Sequence, residues 1–139
     1  MEWMLMPLRR YADFQGRSRR KEYWMFLLAV IILYTVFMVP LMLGGFSTAM
    51  AGQQSTPGLL YFVGFGVMGI LVLALLVPSI AVQVRRFHDQ DRSGWMVLIG
   101  LIPYVGGIIV LVFMCLEGTR GPNRFGPDPK DPTHQDVFA

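Results

Sequence analysis

Three long apolar runs alternate with short polar segments along the chain. The runs cover 24–45, 59–82 and 95–116, and each holds 22 or 24 residues. Because an α-helix rises about 1.5 Å per residue, each run is long enough to cross a hydrocarbon core of about 30 Å. The pattern predicts an all-α, multi-pass membrane bundle of three transmembrane helices, with residues 1–139 forming a single membrane domain.

The third run is interrupted near its middle. Gly100, Pro103, Gly106 and Gly107 stand where a continuous helix would have its central turns. Such residues kink a membrane helix or divide it into two half-helices. We expect one kinked span, and the alternative is a re-entrant helical hairpin that returns to the side from which it started.

The segment 1–23 predicts a short interfacial helix before the first span. Its apolar and aromatic residues fall near helical spacing: Trp3, Met6, Tyr11 and Phe14. A helix of this kind lies on the bilayer surface. Gly16 would break it, and Ser18 is a candidate N-cap for the helix that follows.

The segments between and after the runs differ in charge. The connection 46–58 is polar but uncharged, as translocated loops often are, and the loop 83–94 is basic. The tail 117–139 is rich in Gly, Pro and Asp without a helical or strand period. We therefore expect an irregular surface segment there.

Composition and charge fix the class and the orientation. The chain is 54% hydrophobic and 15% charged, whereas soluble domains carry about 25% charged residues. Of the twelve Lys and Arg residues, six precede the first run, three lie in 83–94 and three lie in the tail. The positive-inside rule thus predicts a cytoplasmic N-terminus. In the hairpin alternative, all twelve would be cytoplasmic.

The basic loop carries the main candidate polar site. Its members are Arg85, Arg86, His88, Asp89 and Arg92. One interpretation is that the arginines anchor the helix end at the headgroup level and pair with Asp89 and Asp91. The other is an anion site, in which guanidinium groups hold a lipid phosphate or a phosphorylated metabolite.

Two further groups of polar residues are candidate pairing partners. Before the first span stand Arg17, Arg20 and Glu22, and in the tail stand Glu117, Asn123, Arg124 and Asp128. The first group anchors the helix at the membrane surface, or pairs Glu22 with Arg85 or Arg86 and Arg20 with Asp89. The tail group forms a turn that caps the bundle. If the tail returns to the cytoplasmic side, Asp128 or Glu117 could meet the arginines of the basic loop.

The sequence offers little support for an enzyme or an ion-coupled transporter. The only other histidine besides His88 is His134, and Asp91 is the only further carboxylate close to Asp89 in the sequence, so we predict no metal site, no cofactor and no catalytic residue. No hydrolase, zinc-protease or phosphate-loop motif occurs. None of the three runs contains an ionisable Asp, Glu, Lys, Arg or His, which ion pathways need. A membrane-embedded hydrolase is the weakest alternative.

Three ordered motifs resemble a known family. They are GRSRRKEYW at 16–24, RRFHDQDRSGW at 85–95 and EGTRGPNRFGPDP at 117–129. They are similar to the bacterial inner-membrane family called domain of unknown function 805, and the resemblance extends from about Trp3 to Pro129. Phe87, Asp91 and Met96 depart from the usual pattern. The resemblance implies a small multi-pass inner-membrane protein without an assigned reaction.

These observations favour a structural or interaction protein of the inner membrane. We expect it to bind a second copy of itself or another membrane protein through glycine-bearing faces of the second and third runs. The alternative is a binding or translocation module for anionic lipids or small anions, built on Arg85 and Arg86. The expected partners are the lipid bilayer, with its anionic headgroups, and a membrane protein, but not a nucleic acid.

Overall fold

The computed structural model describes residues 2–50 and 59–131, and this part of the chain is helical. Its elements are α1 (Glu2–Arg9), α2 (Arg20–Met50), α3 (Leu59–Asp89), a 3₁₀ helix (Gly94–Leu101) and α4 (Gly106–Cys115). The described ranges contain no strand, only one isolated bridge between Asn123 and Gly126. The all-α fold class is confirmed. Part of the predicted uncharged loop, 51–58, and the end of the tail with His134 lie outside the described residues.

Two of the helices are long and apolar enough to cross a membrane. The stretches are Arg20–Gly45 within α2 and Tyr61–Asp89 within α3. Each whole helix has 31 residues, which corresponds to about 46 Å. The helix α3 runs seven residues beyond the apolar run, so that the basic residues up to Asp89 share its last turns. The count of three spans is not confirmed.

The third apolar run is not a continuous helix. The 3₁₀ helix and α4 pack against each other and are joined by a turn in which Tyr104 has a φ of +66°. Pro103 has no backbone N–H with which to continue a helix. Gly106 permits the close approach, since a Cβ there would collide with the carbonyl oxygen of Ile99. The run therefore forms two short helices joined by a turn.

The N-terminal helix is shorter than its apolar spacing predicts. It ends at Arg9, and Asp13 then takes hydrogen bonds from Arg10 Nε (2.8 Å) and Gln15 N (2.9 Å). An aspartate that bonds nearby groups in this way competes with helical backbone pairing. The turn at Gly16 has a φ of +76°. Ser18 does not cap α2, because its buried hydroxyl has no hydrogen-bond partner among the described residues.

The described chain divides into two compact units. We call the part up to Leu27 and from Val77 onward the terminal unit, and 28–76 the helix-pair unit. In the helix-pair unit, the two helices approach closely where Gly64 faces Leu41 and where Gly44 and Gly45 face the Tyr61 hydroxyl. The apolar core of the terminal unit consists of Tyr23, Phe26, Ala81, Val82, Phe87, Val110 and Met114. All the candidate polar residues belong to the terminal unit.

Candidate functional site: a buried charged cluster

Charged side chains are buried at the centre of the terminal unit. The charged cluster consists of Arg17, Glu22, Arg85, Arg86 and Asp89, and Ser18 is buried beside it. The residues come from the segment before α2, the first turn of α2 and the last turns of α3. Removing a charge from water costs several kcal/mol unless an opposite charge compensates it. The pairing within the cluster therefore determines whether any of its charges is available to a ligand.

Asp89 is the centre of the larger part of the cluster. Arg86 NH1 donates to Asp89 Oδ2 at 2.5 Å, and Arg17 Nε donates to Asp89 Oδ1 at 3.0 Å. Arg86 lies three residues before Asp89, so the two share one face of α3. Both carboxylate oxygens are thus occupied by guanidinium groups that come from different parts of the chain.

Other donors of Arg17 and Arg86 bind backbone carbonyls at the start of the tail and just before it. Arg17 donates to Thr119 O at 2.5 Å and to Gly121 O at 2.6 Å, and Arg86 donates to Leu116 O. Thr119 N in turn donates to Asp89 O at 2.8 Å. The two arginines therefore attach the first residues of the tail to the end of α3.

A glycine makes room for this attachment. A Cβ at Gly118 would collide with the carboxylate of Asp89. The close approach of tail backbone and carboxylate thus requires a residue without a side chain at this position.

Glu22 and Arg85 form the second part of the cluster. Arg85 NH2 lies 3.3 Å from Glu22 Oε1, and the two side chains are 0% and 4% exposed. Ser18 N donates to Arg85 O at 3.2 Å. Within the described part of the chain, Glu22 Oε1 and the three guanidinium nitrogens of Arg85 have no hydrogen-bond partner. Charge neutralisation, rather than hydrogen bonding, compensates this pair.

His88 is held between the glycine turn and the tail. Its Nδ1 lies 3.3 Å from Gly16 O, and its ring stacks on Phe125 with the centroids 3.8 Å apart. Asn123 Nδ2 donates to His88 O at 2.9 Å, while Asn123 Oδ1 accepts from Phe125 N. The tail therefore forms a defined turn that packs on the end of α3.

Asp128 shapes the same tail. Its two carboxylate oxygens accept from Gly121 N at 3.0 Å and from Lys130 N at 2.9 Å. Slight burial would raise the pKa of Asp128, but these backbone N–H groups and the nearby charge of Arg17 outweigh it, so its pKa lies below the ordinary value. The ionised carboxylate is the form that holds the turn.

The other predicted site residues lie at the surface. Arg20 pairs with Glu117 and donates to Cys115 O at 3.2 Å. Arg124 lies 3.1 Å from Asp91, with both side chains exposed.

The guanidinium of Arg92 stands 4.6 Å from the centroid of the Phe113 ring rather than in the cluster. At this distance it makes a cation–π contact.

Of the predicted pairings, the structure contains Glu22 with Arg85 and Arg86 with Asp89. Asp89 pairs with Arg17 and Arg86 rather than with Arg20. Glu117 and Asp128 make their contacts away from Arg85 and Arg86. The tail does reach the cluster, but through its backbone.

Several contributors were not identified from the sequence. Leu116, Thr119 and Gly121 act through their carbonyl groups, and Gln90 Nε2 donates to Phe113 O at 2.6 Å. Every residue has a backbone carbonyl, so residue types do not indicate which carbonyl accepts a hydrogen bond. Gly118, inside the tail motif, was the available signal, because a glycine in a motif often marks a close approach.

The geometry of the cluster restricts the binding of anions and metal ions. The Arg86 side chain is 0% exposed, and it donates to Asp89 and a carbonyl. An anion would have to displace Asp89 to reach it. Within 2–50 and 59–131, no three His, Cys, Asp or Glu side chains lie close enough to hold a metal ion. The cluster is arranged to join three chain segments.

Comparison with known proteins gives one family and several relatives. The family described as "Protein of unknown function (DUF805)" matches residues 11–127. Inner membrane protein YhaH of Escherichia coli (strain K12) is 45% identical over 131 residues, 94% of this chain and 98% of that protein. Inner membrane protein YhaI of the same strain is 39% identical over 130 residues, 94% and 97% of the two chains. No solved structure matches the chain.

Proposed function

Since the chain belongs to the DUF805 family, with inner-membrane relatives in Escherichia coli, we propose that it is a structural component of the bacterial inner membrane that self-associates. The observation that carries this proposal is an exposed apolar stripe on α3. Its members are Phe62, Gly66, Gly69, Ile70 and Leu73. Their spacing of four, three, one and three residues places them on one face of the helix.

The glycines of the stripe favour a protein partner over lipid alone. A Cβ built at Gly66 or Gly69 would meet nothing within 4 Å, whereas Gly64 on the opposite face already contacts Leu41. Lipid chains do not require a residue without a side chain, but a second helix packs closely on one. A second copy of the chain presents the same stripe and can form a symmetric contact.

The proposed topology has two spans and a re-entrant hairpin. The 3₁₀ helix has 8 residues and α4 has 10, so each reaches about 15 Å, half of the hydrocarbon core. The first end of this hairpin lies against Val84 and His88, and its last residue, Leu116, accepts a hydrogen bond from Arg86. The contacts of Arg17 with Thr119 and Gly121 support an N-terminal segment and a tail on the same side.

The distribution of charge supports a cytoplasmic location for that side. All twelve Lys and Arg residues lie in 9–21, 85–92 and 120–130. In the proposed topology these segments share one face, and basic residues concentrate on the cytoplasmic side of inner-membrane proteins.

Reporter fusions test the topology. We expect a fluorescent protein fused after Ala139 to be active and alkaline phosphatase at that point to be inactive. A phosphatase inserted between Gln53 and Thr56 should be active and serves as the reference. Phosphatase activity after Ala139 would contradict the hairpin and favour three spans.

Substitutions in the stripe test self-association. We expect Gly66→Leu and Gly69→Leu to reduce the yield of cross-linked dimer in membranes several-fold, because a bulky side chain separates the two helices. Val72→Leu, which places a leucine at an exposed position on a neighbouring face of α3, is the control and should leave the yield unchanged. If both glycine variants gave as much cross-linked dimer as the unchanged chain, the stripe would not be the contact between the two copies.

A further inference from the structure

A cavity separate from the charged cluster lies between the start of α2 and the end of α4. It is open along one side rather than enclosed, has a volume of about 400 Å³, and is lined by Arg20, Lys21, Trp24, Met25 and Cys115. The four α2 residues occupy one side of the first two turns. Glu22 and Tyr23, between them in sequence, point instead into the core.

One end of the cavity is positively charged. Lys21 is exposed, and within the described residues it has no hydrogen bond or ion pair. Arg20 is paired with Glu117 at the surface and also donates to Cys115 O. The ammonium group of Lys21 is therefore available to an anion, with Arg20 beside it.

The other end of the cavity is apolar. Trp24 and Met25 follow Arg20 and Lys21 by four residues each, which places them about 6 Å further along the helix axis on the same side. Tryptophan favours the boundary between headgroups and acyl chains. The cavity thus changes from cationic to apolar in the direction in which α2 enters the bilayer.

We propose that this cavity binds a phospholipid with an acidic headgroup. The phosphate lies between Lys21 and Arg20, and the start of an acyl chain lies against Trp24 and Met25. A free inorganic anion would leave the apolar end unused. The inference rests on the proposed function in one respect, the position of α2 across the membrane.

Fluorescence quenching tests the site in the full chain. Trp3→Phe and Trp95→Phe leave Trp24 as the only tryptophan. The protein is reconstituted into phosphatidylcholine vesicles that contain an equal fraction of either brominated phosphatidylglycerol or brominated phosphatidylcholine. We expect stronger quenching by the brominated phosphatidylglycerol, because bromine on a bound lipid stays near the indole.

Charge variants assign the preference to the cavity. A basic residue near a membrane surface contributes about a fivefold preference for acidic lipid, so Lys21→Gln should lower the relative affinity by about that factor. Lys130→Gln removes the same charge elsewhere and should preserve the preference. Glu117→Gln removes the competing carboxylate and should strengthen it. Equal unfolding temperatures show that the variants are folded.

The contrary outcomes are distinguishable. Equal quenching by the two brominated lipids would overturn the lipid site and leave the proposed topology intact. Loss of the preference on adding inorganic phosphate at constant ionic strength would assign the cavity to a free anion and also overturn the proposal. Absence of quenching by either lipid would contradict the membrane position of α2 and both proposals with it.

Discussion

Asp89 compensates two buried cations with one carboxylate. Arg17 and Arg86 both donate to it, and its side chain is 4% exposed. Breaking a buried ion pair by neutralising one partner costs about 3–5 kcal/mol, because the remaining charge stays out of water. The stability of the terminal unit should therefore depend strongly on this one residue.

Asp89→Asn should lower the free energy of unfolding by about 3–5 kcal/mol, measured by chemical denaturation of the purified protein in detergent. Asp91→Asn is the matched control, since Asp91 pairs with Arg124 at the surface. An exposed pair contributes less than about 1 kcal/mol. Similar losses in the two variants would show that Asp89 is not the centre of the cluster.

At the residue scale, side-chain pairing was partly predictable. Glu22 and Arg85 both stand at the ends of apolar runs, and opposite charges at such positions can meet where two helices adjoin. Arg17 was assigned no acceptor, because most of its partners are the carbonyls of Thr119 and Gly121. Their position depends on the path of the tail, which residue types do not encode.

The hairpin depends on a close contact between its halves. Gly106 packs against the carbonyl of Ile99, whereas a Cβ at Gly107 would meet nothing within 4 Å. Gly106→Ala should reduce stability by about 1–3 kcal/mol, since backbone must shift to admit the methyl group. Gly107→Ala should be neutral or slightly stabilising. The unfolding temperatures of the two variants are measured in detergent. Equal temperatures for Gly106→Ala and Gly107→Ala would contradict the close packing at Gly106.

The tail turn should weaken in acid. The pKa of Asp128 is below its ordinary value of 3.8 in the folded chain. A lowered folded-state pKa adds stability above the unfolded pKa, and this stability is lost as the pH falls from 3.8 through the folded value. Protease cleavage of the tail should therefore increase below pH 3.8. The tail of the Asp128→Asn variant should be cleaved more readily at neutral pH, and its cleavage should increase less on acidification. If cleavage of the variant increased as much as that of the unchanged chain, groups other than Asp128 would be responsible.

At the element scale, apolar length predicted α2 and α3 but could not decide the third run. A run of 22 apolar residues has the same length and composition whether it forms one span or two half-helices. Pro103 and Gly106 indicated a break. The choice between a kink and a hairpin depends on packing between the halves, which a one-dimensional pattern does not contain.

In the whole molecule, the tail completes the terminal unit. Ending the chain after Leu116 removes the carbonyls of Thr119 and Gly121 and leaves Arg17 with fewer acceptors. We expect this truncated protein to accumulate in membranes several-fold less than the full chain, as measured by immunoblotting. Ending the chain after Asp131 retains every contact described above and should leave the level unchanged. Equal levels for the two truncations would contradict a stabilising tail.

At the scale of the whole molecule, the three sequence motifs indicated the family but not that they lie together. In the favoured prediction of three spans, the tail motif was on the opposite side of the membrane from the other two. The side of the membrane on which 117–129 lies depends on whether the third run crosses the membrane, so the conformation of this one element determines whether the three motifs can meet. The contacts from Arg17 to the tail bring the three motifs together.

The long sequence separation of the Arg17 contacts has a consequence for biogenesis. Its partners lie 72, 102 and 104 residues away, and such non-local contacts form slowly because long loops must close first. Synthesis proceeds from the N-terminus, so α2 and α3 are made long before the tail carbonyls exist. During synthesis Arg17 therefore meets Asp89 before Thr119 and Gly121 have been added, and the tail closes over an ion pair that already exists.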